Sequence, residues 1–189
     1  FIASGVPLDN RNLQALIDKT GDPVLQQAMR WSVGVNDSIA DMVENVPPFP
    51  YVRESLEKLK AKADIMVVSQ TPTEALTREW CEHKIDGFVC LICGQEMGTK
   101  TEHLEYATKG KYDPANVLMI GDAPGDLKAA RANGAKFYPI NPGHEDASWK
   151  RFHDEAIDRF FAGTYTEEYE RQLIEEFQAY LPETPPWKK

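Results

Sequence analysis

From Val52 to Ile140 the chain alternates short, continuously apolar runs with stretches of helical periodicity, and this alternation restricts the fold more than any other feature. Ile65-Met66-Val67-Val68, Phe88-Val89-Cys90-Leu91-Ile92, Val117-Leu118-Met119-Ile120 and Lys136-Phe137-Tyr138-Pro139-Ile140 read as strands. Between them, Val52, Leu56 and Leu59 mark one helix face, Leu76 and Trp80 another, and residues 100–109 and 126–133 two more. Strands that are apolar on both faces and separated by helices predict an α/β fold with a parallel sheet covered on both sides.

Residues 1–46 follow a different rule. Leu13, Leu16 and Ile17, then Leu25, Ala28 and Met29, then Ile39, Met42 and Val43 each fall at i, i+3, i+4, the spacing of an amphipathic helix. Asp22-Pro23 suits a cap and first helical position. A small helical subdomain is expected there, closed by Pro47-Pro48-Phe49-Pro50. Two helices are expected after residue 145, the second with Tyr169, Leu173 and Phe177 along its packed face. The predicted division is therefore 1–46, 47–145 and 146–189, the last packed on the α/β part.

Ligands of an open parallel sheet collect at the carboxyl ends of its strands. Val68 is followed there by Ser69-Gln70 and by Thr71-Pro72-Thr73-Glu74, which reads as a capping box. Ser69 either turns the chain or offers a hydroxyl to an anion at the helix start. Thr99-Lys100-Thr101-Glu102 is a second capping box, and it sets Lys100 where a cation opposes the helix dipole. Either Lys100 is a surface lysine or a bound anion removes that misfit. Ile120-Gly121-Asp122-Ala123-Pro124-Gly125-Asp126 brings two hard oxygen donors to one strand end, an arrangement magnesium favours, although a turn residue and a helix cap would look the same.

In this order, Ser69, Lys100 and the G-D-x-x-x-D of Gly121, Asp122 and Asp126 resemble the second, third and fourth motifs of the haloacid dehalogenase-like hydrolases. Pro48-Phe49-Pro50 and Ala129-Ala130 with Asn133-Gly134-Ala135 are similar to the flanking text of that family, and the resemblance covers residues 47 to 145. It implies a Rossmann-like core with a helical cap, and a magnesium-dependent phosphatase acting on a small phosphorylated metabolite. By the same resemblance, Ser69, Gln70 and Lys100 hold phosphate, Lys100 is catalytic, and Asp122 and Asp126 hold Mg2+.

The family's first motif, D-x-D, is absent, for no two aspartates of the chain are separated by one residue. The resemblance places that motif on a strand between those ending at Ser69 and Asp122, so its loss removes a nucleophile and leaves two inner edges. The chain also starts without methionine. A missing N-terminal part of a longer protein accounts for all of this. The alternative is a degenerate, non-catalytic binding protein.

Other chemistries fit less well. A net charge of −9 repels polyanions and argues against nucleic acid. No apolar run reaches the ~18 residues of a membrane span, and no signal peptide is evident, so a cytoplasmic location is expected. Cys90-x-x-Cys93, with Cys81 and His83, offers nominal zinc ligands, but a strand would turn Cys90 and Cys93 to opposite faces, and buried thiols are expected instead. No G-x-S-x-G elbow surrounds any serine, and His144 reads as a loop histidine near a strand end.

Overall fold

The computed structural model describes residues 1–6, 9–42 and 45–182. The chain divides into two compact units, Phe1–Val46 and Pro47–Lys189.

The first unit is a helical pair, α1 (Asn10–Thr20) and α2 (Pro23–Met42). Asp9 caps α1 by accepting from the Asn12 amide at 2.7 Å, and Asp22 accepts from the Val24 amide at 2.8 Å beside Pro23, as the sequence suggests. Leu13 and Ile17 are the buried face of α1. The second and third apolar triplets belong to one continuous 20-residue helix rather than two. Val43, from the third triplet, and Leu8 lie outside the described residues.

The second unit runs α3 (Val52–Lys60), β1 (Met66–Val68), α4 (Thr73–Glu82), β2 (Leu91–Cys93), α5 (Lys100–Thr108), β3 (Leu118–Gly121), α6 (Pro124–Ala132) and β4 (Lys136–Pro139). Then come α7 (Glu145–Arg151), a π turn over Phe152–Ala156, α8 (Ile157–Phe161) and α9 (Glu167–Ala179). Every strand pairing is parallel, as the alternation predicts, with Val67 opposite Ile92 and Ile120 opposite Tyr138. Among the described residues, however, the strands form two sheets, β1–β2 and β3–β4, and not one. The second strand is also shorter than expected. Asp86–Phe88 winds into a 3-10 turn, and Cys90 precedes β2 instead of lying in it.

Two apolar clusters fill this unit. One joins Tyr138 and Ile140 to Phe152, Ala156, Ile157, Tyr165 and Leu173; the other joins Leu104, Met119, Ala130, Ala135 and Phe137 to Phe177. The helices after residue 145 are thus part of the core. Leu173 and Phe177 face inward, as their spacing predicts.

The two edges of the β3–β4 pair differ. Lys136 and Ile140 donate to Val117 and Gly121, so alternation turns Phe137 and Pro139 outward on β4. There the Phe137 amide donates to Glu170 at 2.8 Å, and the Phe137 carbonyl accepts from the Tyr165 hydroxyl at 2.7 Å. Pro139 has no N–H to offer. This outer edge is closed against a further strand. On β3 the same alternation turns Leu118 and Ile120 the other way, and on β1, where Ser69 donates to Cys93, it does so for Met66 and Val68. No strand of the described residues lies along either of these edges.

Candidate functional site

Ser69, Lys100, Asp122 and Asp126 all lie at carboxyl ends of strands or the helix starts that follow them. Ser69 ends β1, half-buried, and its Oγ accepts from the Thr71 amide at 3.1 Å. With one lone pair so engaged, the hydroxyl proton stays available to an acceptor beyond the strand end. The expected Thr71–Glu74 capping box does not form. Helix α4 has Pro72 at its cap without a side-chain bond, and Glu96, from the turn after β2, reaches across instead. Its carboxylate accepts from the Thr73 amide at 3.1 Å and the Thr73 hydroxyl at 2.9 Å. Hydrogen bonds from its own amide and from Thr73 hold the Glu96 carboxyl below the ordinary glutamate range. The start of α4 is therefore already supplied with an anion by the chain itself. Gly94 lets the strands and helix approach: a Cβ there would lie 2.4 Å from the Thr73 amide nitrogen.

Lys100 is the first residue of α5, whose capping box forms as predicted. Glu102 donates its amide to the Thr99 hydroxyl at 3.3 Å, and its carboxylate accepts from the Thr99 amide at 2.8 Å. That bond is the main reason the Glu102 carboxyl sits below its ordinary range. The anion that relieves the misplaced lysine is Asp126, whose Oδ1 lies 2.5 Å from Lys100 Nζ. The aspartate side chain is 2% exposed and the lysine 25%. Asp126 Oδ2 accepts from the Ala123 amide at 3.2 Å, closing the turn that opens α6. Gly121 is needed for this packing, since a Cβ at that position would stand 2.4 Å from Asp126 Cγ.

Asp122 is exposed and, among the described residues, its side chain is engaged in no hydrogen bond or ion pair. Gln70 is exposed as well; its amide group donates to the Ser69 and Gly98 carbonyls at 3.4 and 3.3 Å, bracing the two loops. As a magnesium site the donors agree in kind but not in number. Asp122 offers one open carboxylate, Asp126 is committed to Lys100 and Ala123, and no group of three or more His, Cys, Asp or Glu able to hold a metal exists among the described residues. A further oxygen ligand has to come from elsewhere.

The remaining candidates fall away from this cluster. Cys93 is buried as expected, but Cys81 and Cys90 are exposed, and the Cys90 thiol donates to the Ile65 carbonyl at 3.1 Å. His144 is exposed and lies against Tyr180 in a tilted arrangement, with ring centroids 4.6 Å apart. No described helix is long and apolar enough to cross a membrane. The role of Glu96 and the pairing of Lys100 with Asp126 leave no signal in the sequence, because the partners stand 23 and 26 residues apart with no local pattern linking them.

No curated protein matches the chain. A family model described as haloacid dehalogenase-like hydrolase matches residues 8–140 of the 189, a span that includes α1, α2 and every described strand. With Ser69, Lys100 and the Gly121-Asp122 turn gathered at the strand ends, the chain belongs to the haloacid dehalogenase-like hydrolase family.

Proposed function

We propose that this chain provides the phosphate-holding half of a magnesium-dependent phosphatase for a small phosphorylated metabolite, and that a strand carrying the nucleophilic aspartate completes it between β1 and β3. The observation behind this reading is the contrast of edges. The outer edge of β4 is closed by Glu170, Tyr165 and Pro139, whereas the edges carrying Met66, Val68, Leu118 and Ile120 have no strand of the described residues beside them. A strand entering there would end beside Ser69 and Asp122, adding both the missing carboxylate and the missing oxygen ligand.

Each residue then has a definite task. Lys100 has three donors and spends one on Asp126, so two remain for a phosphoryl oxygen and the attacking carboxylate. Asp126 fixes the ammonium in place and is a positioning residue. Ser69 donates its free proton to a second phosphoryl oxygen. Asp122, the open carboxylate, is the ligand for the metal, and bound magnesium would neutralise phosphoryl charge as the transferring group moves. Aspartate attack would form an acyl phosphate with departure of the alcohol, and water would release inorganic phosphate in a second step.

The test is turnover of a generic aryl phosphate with magnesium by the 189-residue chain, alone and fused to a strand-forming segment carrying D-x-D. Turnover only in the fused form, lost on Asp122→Asn, is expected. Turnover by the unfused chain refutes the need for an added nucleophile. No turnover in either form, over a panel of small phosphate esters, favours a non-catalytic binding role, for which the prior occupation of the α4 start by Glu96 is the supporting observation.

A further inference from the structure

His103 is 4% exposed, and neither nitrogen of its ring has a hydrogen-bond partner among the described residues. A neutral imidazole carries one N–H donor and one acceptor, and a charged one carries two donors, so either form leaves two bonds unmade. Buried polar atoms are rarely left in that condition. An apolar side chain would carry no such cost. The next residue, Leu104, is apolar and packs in the core with Met119 and Ala130.

The location of His103 shows where a partner has to enter. Helix α5 lies over the space between β1 and β3: it packs on β1, and Leu104 shares with Met119 of β3 a cluster against which Val68 of β1 also packs. The start of α5 is tied to both sides of that space. Gln70, after β1, donates to the Gly98 carbonyl, and Lys100 pairs with Asp126, after β3. His103 stands one turn along α5 from Lys100 on the same helix face. Its Nε2 lies beside the Gly98 turn, where a Cβ on the glycine would be 3.6 Å from it. The ring is thus buried at the carboxyl-end level of the open space.

We propose that His103 anchors the strand that fills this space, its Nε2 pairing with a serine or threonine hydroxyl on the α5-facing side of that strand, next to D-x-D. This rests on the reading that such a strand enters between β1 and β3. The backbone groups of the strand are taken up by those two edges, so a side chain has to supply the partner. A hydroxyl both donates and accepts, and therefore suits either tautomer of the ring. A slip of one residue would turn the hydroxyl to the opposite face, so the pair selects the register in which the nucleophile arrives beside Lys100. His103 is a positioning residue and does not touch the phosphoryl group.

Two measurements test this. In the 189-residue chain both ring nitrogens are unpaired, so His103→Leu should raise the urea midpoint; an unchanged or lowered midpoint means that the ring is already paired and overturns the proposal. The second compares two D-x-D fusions, with Thr or Val as the last α5-facing residue before the motif, by amide exchange at Met66, Val68, Leu118 and Ile120. The Thr form should protect these amides about tenfold more than the Val form, the effect of one buried hydrogen bond. The difference should vanish in His103→Leu and in His103→Asn, and persist in His103→Gln, whose amide reaches as far as Nε2. Equal protection by Thr and Val, or a preference that survives His103→Leu, overturns the anchor and leaves the strand reading intact. Protection by neither fusion sinks the strand reading, and the anchor with it.

Discussion

Removing either partner of the Lys100–Asp126 pair should not cost the same. Lys100→Met leaves a carboxylate that is 2% exposed with one amide for company, and stranding a buried charge costs about 3–5 kcal/mol. Asp126→Asn leaves a lysine that is already 25% exposed and free to swing into water, so the loss is nearer the value of one charged hydrogen bond, about 1.5–3 kcal/mol. In Lys100→Met/Asp126→Asn neither charge remains, and the double variant should be more stable than Lys100→Met alone. Urea unfolding followed at 222 nm gives the four stabilities of the cycle, with comparable m values required for the comparison. The expected coupling is about 2 kcal/mol or more. Additive losses, or a greater loss for Asp126→Asn than for Lys100→Met, would refute the claim that Asp126 is a buried anchor for the lysine.

Three other outcomes follow from the same structure. Tyr165→Phe leaves the buried Phe137 carbonyl without its donor and should cost about 1–3 kcal/mol in urea unfolding, with faster aggregation as the β4 edge opens. Thr99→Ala removes the α5 cap and should lower stability by about 1 kcal/mol, read from the same unfolding curves. Glu176 is held below the ordinary glutamate value of 4.5, chiefly by its hydrogen bond with Arg151. A depressed folded value means that its stabilisation is complete above that ordinary value and is lost as pH falls through the folded one. The stability gap between the native chain and Glu176→Gln should therefore be widest near neutrality and close in acid; a gap independent of pH contradicts the ion pair.

What could be read in the sequence was whatever rests on neighbours along the chain. Periodicity locates α3, α4, α5 and the four described strands, and the Thr99–Glu102 capping box forms because both of its bonds close within three residues. The Thr71–Glu74 box had the same lettering but failed, since Glu96 satisfied the helix start from across the turn. Strand β2 starts later than its apolar run because Asp86-Gly87-Phe88 favours a tight turn over extension, and Lys84 just before it adopts a left-handed φ of 53°. Bonds between distant residues left no trace: Glu170 and Tyr165 reach the β4 edge from 33 and 28 residues away. The strand-end residues of the site were legible because topology alone brings them together. Their electrostatics were not, because the commitment of Asp126 to Lys100 depends on how α5 and α6 pack.

The central claim concerns the edges of β1 and β3, and amide hydrogen exchange at Met66, Val68, Leu118 and Ile120 measures them directly. In the 189-residue chain these amides should exchange rapidly compared with those of Met119 and Tyr138, which lie inside the β3–β4 ladder. Fusing a D-x-D strand should slow all four together. Protection already present in the unfused chain, or none gained on fusion, would contradict the account.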